Sequence, residues 1–84
     1  MSGELKYIVK SVRPEEGYFL LVCFADGSKR RFDMKPIIER GGVFKKLKEV
    51  KEFNKVHVDR DTVVWDDTLD IAPESLYEKG VVVA

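Results

Sequence analysis

The 84-residue chain has one cysteine, one histidine, one tryptophan and no net charge, and each shortage closes off a class of protein. Cys23 cannot form an internal disulfide, so packing must hold the fold, and a reducing compartment, most simply the cytoplasm, is expected. Cys23 also lies inside an apolar stretch with no reactive-site motif around it, which reads as a packed thiol. His57 alternates with Val56 and Val58 and is expected on the exposed face, with no positioned partner to make it a general base. The longest apolar run, residues 18–25, is far too short to span a bilayer, so no membrane partner is expected. The opening M-S-G-E-L-K lacks the basic-then-apolar layout of a signal peptide. Zero net charge argues against a dedicated nucleic-acid binder, which usually runs strongly basic.

What remains is an ordinary soluble globule, 44% hydrophobic and 36% charged. Residues 1–84 read as one domain around a modest core, with 1–6 and 81–84 as loose ends. The zero charge hides a division. Residues 1–55 hold thirteen Lys and Arg against eight Asp and Glu, net +5; residues 56–84 hold two against seven, net −5. Such a split produces a dipolar surface or mutual attraction of the two halves.

The pattern along the chain predicts a small α+β fold. Residues 7–13 are β-branched and aromatic, residues 14–17 are turn formers, and residues 18–25 read as a buried central strand. Asp26-Gly27 is a strong hairpin signal. The third strand, 28–33, carries Lys29, Arg30 and Arg31, which suit a sheet edge. D-M-K-P at 33–36 then places Asp33 as a helix N-cap and Pro36 in the first turn, with Gly41-Gly42 ending the helix. Phe44, Leu47 and Val50 stand three apart in a second helical segment over 43–53 with a basic outer face. Strands at 55–59 and 62–65 flank a turn at Arg60-Asp61, and a loop leads to D-I-A-P at 70–73. There Asp70 is expected to cap and Pro73 to sit in the first turn of a helix that Gly80 ends. Residues 81–83 form a last short strand or a tail. The expected architecture is a two-layer domain, β-β-β-α-α-β-β-α, with one antiparallel sheet of about five strands and short helices packed on it.

A catalytic alternative exists for the acids. Asp59, Asp61, Asp66, Asp67 and Asp70 form the best metal or enzyme candidate, since calcium needs converging oxygen ligands. The spacing fails at once, with Thr62 and Val63 where further ligands and a glycine belong, so these acids read as turn and cap residues. Gly41-Gly42 is not a phosphate loop. No catalytic residue, metal or cofactor is therefore assigned. The stronger lead is basic: Lys29, Arg30, Arg31, Lys45, Lys46, Lys48 and Lys51 form the candidate interaction set, which would meet phosphates if gathered on one face.

Phe24, Asp26 and Gly27, Asp33, the glycine pair at 41–42, Phe44, Leu47, Phe53, the V-x-V-D at 56–59, Trp65 and D-I-A-P-E-x-L-Y at 70–77 follow one another in a telling order. In that order and spacing they resemble a bacterial family of domains of unknown function, number twenty-four forty-two. The resemblance covers about residues 7–77. It implies a two-layer α+β domain, found alone or fused to a helix-turn-helix, and often encoded beside a second small protein. It carries over no catalytic residue. The chain departs from the family pattern after Trp65, where Asp66-Asp67-Thr68 replaces Pro-Asn-Gly. The expectation is a non-enzymatic interaction or regulatory domain with a small protein partner, the antitoxin-like half of a pair. The alternative is weak nucleic-acid binding through 29–31 and 45–51.

Overall fold

A computed structural model describes residues 7–66 and 69–83. The expected termini at 1–6, together with Asp67, Thr68 and Ala84, lie outside the described residues. The fold is α+β, but among the described residues the strands form two antiparallel sheets of four and three strands instead of one sheet of about five.

The first three strands are β1 (Val9–Glu15), β2 (Phe19–Phe24) and β3 (Lys29–Asp33). Strand β2 is central, as its apolar run requires, yet only Leu20, Val22 and Phe24 are buried. Phe19, Leu21 and Cys23 alternate onto the opposite face and stay half-buried, which corrects the reading of Cys23 as a core thiol. Pro14 falls within β1 instead of in a turn. On an outermost strand its missing N–H costs no ladder bond. The β2–β3 connection is a turn closed by the Gly27 N–H donating to the Phe24 carbonyl at 3.0 Å. Gly27 alone takes positive φ (93°), so the loop is the three-residue type with glycine at the left-handed position.

Helix α1 (Lys35–Arg40) follows with Pro36 in its first turn. Its cap position is Met34, not Asp33, and Met34 is fully buried. Asp33 still serves the helix start from one residue earlier, its Oδ1 accepting the Lys35 N–H at 2.9 Å. Gly41 and Gly42 both have positive φ (86° and 66°), which explains the pair and ends α1. The segment expected as one helix over 43–53 is instead a 3-10 turn at Gly42–Lys48 followed by α2 (Val50–Phe53). The three-residue spacing of Phe44 and Leu47 suits three residues per turn. Val50, expected inside, is 58% exposed because Phe53 takes the buried position of α2.

The second sheet consists of β4 (His57–Asp59), β5 (Thr62–Asp66) and β6 (Leu69–Ile71). Arg60 and Asp61 both have positive φ (53° and 66°), giving a two-residue mirror-type hairpin turn. Residues 69–71, expected as loop and cap, pair with β5. Asp70 stands opposite Val64 in that ladder and makes no cap; the cap position of α3 (Pro73–Lys79) is Ala72, without a side-chain bond. Extending β6 through Ile71 keeps Asp70 in extended backbone, too far back to reach the first turn. Pro73 does begin α3, as expected. Residues 81–82 form β7, antiparallel to β3, so this part of the expected loose end is ordered and β3 is not an edge strand there.

One core joins the two sheets. Leu20, Val22 and Phe24 share it with Val63, Trp65 and Ile71. The Val9 N–H donates to the Asp61 carbonyl at 3.0 Å, and the buried Trp65 indole N–H donates to the Phe53 carbonyl at 3.0 Å. Burying that indole with its donor satisfied is how the lone tryptophan fastens β5 under α2.

Candidate functional site

The basic set named from sequence does not come together. By strand alternation Arg30 shares the inner face with Phe32, while Lys29 and Arg31 point to the outer face. Arg30 is half-buried, its guanidinium 3.9 Å above the Tyr77 ring, and its Nε has no hydrogen-bond partner among the described residues. Arg31 donates to Glu15 at 2.9 Å. Lys46 pairs with Asp66 at 2.5 Å, and that carboxylate holds the ammonium pKa above its ordinary value. Lys45, Lys48 and Lys51 stay exposed along residues 42–53. Three of the seven cations are therefore occupied within the fold, and the rest are divided between two places.

Tyr77 organises the surroundings of Arg30. Its ring meets Phe24 and Tyr7 edge-on at 4.9 and 5.9 Å, and its hydroxyl donates to Asp26 at 2.9 Å. Asp26 also accepts the Ser28 hydroxyl and backbone N–H at 2.6 and 2.9 Å. These bonds, Ser28's first, hold the Asp26 carboxyl below its usual pKa. The assigned turn pair Asp26-Gly27 thus also anchors α3 to the β2–β3 hairpin. This arrangement is a structural clamp.

The acids fare differently. Asp59, Asp66 and Asp70 line one shallow depression of about 340 Å³, on the side of the second sheet away from the core. Among the described residues no group of three or more His, Cys, Asp or Glu stands close enough to hold a metal ion. Asp61 belongs to the turn, and Asp67 lies outside the described residues. His57 is exposed, its Nδ1 3.0 Å from the Lys55 carbonyl.

The most site-like feature is a groove of about 550 Å³ between α1 and α3. Its floor is apolar, from Phe32, Ile37, Phe44 and Ile71. Its rim holds Arg40 and Lys79, and also Asp33 and Asp70. Both Asp-x-x-Pro stretches therefore converge on one cleft, Asp33 and Pro36 from the first, Asp70 and Ala72 from the second. Sequence reasoning missed Arg40, Lys79 and the floor. The available signal was Ile37 beside Ile38: neighbours on a short helix cannot both face the core, and Ile38 is the buried one. Asp33 and Lys79 also line a second hollow, of about 590 Å³, formed with Phe19, Arg31 and β7.

The groove, open and mixed in charge with an apolar floor, lies on a small α+β domain. The chain is a member of the family described as "Protein of unknown function (DUF2442)", whose model matches residues 9–81. Comparison with curated proteins and with solved structures finds no match for this chain. No described helix is long and apolar enough to cross a membrane.

Proposed function

We propose that this domain is a non-enzymatic interaction module, the regulatory, antitoxin-like half of a small bacterial protein pair working in the cytoplasm. The observation that carries the reading is the groove between α1 and α3 lying beside β7, whose Val81 and Val82 are 70% and 64% exposed. Apolar surface gathered beside an open groove is the usual mark of a contact site. Supporting it, exposed charges of opposite sign stand on different elements. Lys45, Lys48 and Lys51 lie exposed on residues 42–53, and Asp59 and Asp70 on the second sheet. A partner with the opposite arrangement would be steered into register. The test is co-expression with the second small protein that the family resemblance leads us to expect beside it, followed by pull-down and sedimentation. A one-to-one complex at micromolar concentration supports the module; two separate species at that concentration contradict it.

A second reading rests on the exposed Lys45, Lys48 and Lys51, which could meet the phosphates of a nucleic acid. Its test is oligonucleotide binding across a salt series. Phosphate contacts make affinity fall steeply with ionic strength, and a flat or absent response removes this reading.

A further inference from the structure

The two edges of the four-stranded sheet are finished in opposite ways. At the β1 edge the ladder breaks into a bulge between Val9 and Ser11, Pro14 removes a donor, and Lys10 and Arg13 stand exposed. The start of that edge is also covered, through the Val9 bond to Asp61. These are the devices by which sheets discourage another chain from pairing. Strand β7 has none of them: it offers two exposed valines, without charge, proline or bulge. Because the Val83 N–H donates inward to the Lys29 carbonyl at 3.0 Å, alternation turns the Val82 N–H and carbonyl outward, to an edge that no strand among the described residues pairs with.

The free edge leads into the groove. Asp33 and Lys79 line both the hollow beside β7 and the cleft between α1 and α3. Asp33 is already engaged by the Lys35 N–H, whereas Lys79 has no ion-pair partner among the described residues. A second copy of this chain could pair only two or three residues of β7 with their equivalents, a small part of the roughly 1,200 Å² that a stable interface buries. An extended segment reaches further, along β7 and on past Lys79 over Phe32 and Ile37.

We propose that the outer edge of β7 and the adjoining groove form one docking surface for an extended protein segment with alternating apolar residues and an acidic residue over Lys79. Backbone pairing along β7 supplies affinity, and the floor and Lys79 supply selectivity. This deepens the interaction-module reading and rests on it. The test uses the intact chain, labelled with nitrogen-15, and two capped nonapeptides of alternating valine and threonine, one with a central glutamate and one with lysine in its place. The glutamate peptide is expected to shift the amide signals of residues 79–83 and 32–40, and the lysine peptide to bind about tenfold more weakly. Val82→Pro leaves the inward bonds of β7 intact, removes one outward donor and should weaken binding about three- to tenfold, the worth of one hydrogen bond. Val82→Lys should abolish it, with the far-ultraviolet spectrum unchanged. Three results overturn the proposal: no shift with either peptide, shifts confined to 45–51, or shifts at β7 that follow protein concentration alone and so report a second copy. If the peptides fail while the expected neighbour still co-purifies, the docking surface falls and the module stands.

Discussion

Gly80→Ala is the substitution that most sharply separates two explanations for a glycine at a helix end. The usual explanation is a left-handed backbone, and it does not apply. Gly80 has φ −73° and ψ 154°, a conformation any residue adopts. What the position lacks is room. A methyl there would stand 2.5 Å from the Leu76 carbonyl oxygen and 3.1 Å from Arg30 Cβ. The Leu76 carbonyl cannot retreat freely, because it accepts the Gly80 N–H at 3.1 Å in closing α3. Overpacking of this kind costs about 1–3 kcal/mol, and the alanine returns about 0.5 kcal/mol by restricting the unfolded chain. A net loss of about 1–2 kcal/mol should lower the melting temperature by roughly 5–15 °C in a domain of this size. Urea unfolding followed by the fluorescence of Trp65, only 5% exposed, measures it directly. Gly27 supplies the contrast, since it has φ 93° and open space around it. There, asparagine should be tolerated better than alanine, whereas at Gly80 asparagine should be no better. A neutral or stabilising Gly80→Ala would refute the close approach between α3, β3 and the start of β7.

Three further outcomes follow from the same bonds. Trp65→Phe removes the indole donor from the Phe53 carbonyl, which keeps only the Val56 N–H at 3.3 Å, and leaves a void beneath α2, so circular dichroism should record a loss of about 2–3 kcal/mol. Replacing Arg60-Asp61 by Asn-Gly relieves two left-handed residues and should raise stability by about 1 kcal/mol in urea unfolding, with the Val9 bond to residue 61 kept. Asp26 has its carboxyl pKa lowered by Ser28 and then Tyr77, so its stabilisation is present above the ordinary carboxylate range and fades as pH falls through it. The stability gap between the native chain and Asp26→Asn should therefore be full at neutral pH and close as pH falls below the ordinary carboxylate range; a gap that widens in acid would be contrary.

Much of the fold is legible in the residues because local chemistry fixes it. The apolar run of β2, the glycine at the β2–β3 turn and the paired glycines after α1 each state a backbone requirement that the structure meets. Partition of the strands into two sheets is not legible. Both hairpins have half-buried faces, and nothing local says whether β4 joins β1 by a ladder or by a single bond from Val9 to Asp61. Asp33 and Asp70 misled for one reason: the same Asp-x-x-Pro spelling stands before both helices, yet β6 holds Asp70 in a ladder while Asp33 reaches Lys35. The groove was hidden because its parts lie far apart in sequence, Arg40 on α1 and Lys79 on α3. The basic set was legible as charge but not as geometry, since alternation sends Arg30 onto Tyr77 and Arg31 outward to Glu15.

The most direct test is amide hydrogen exchange on the chain in excess glutamate nonapeptide, compared with the free chain. Partner binding at β7 and the groove predicts new protection at 32–40 and 79–83, with 45–51 exchanging as before. Protection confined to 45–51, or an exchange pattern identical to that of the free chain, would contradict it.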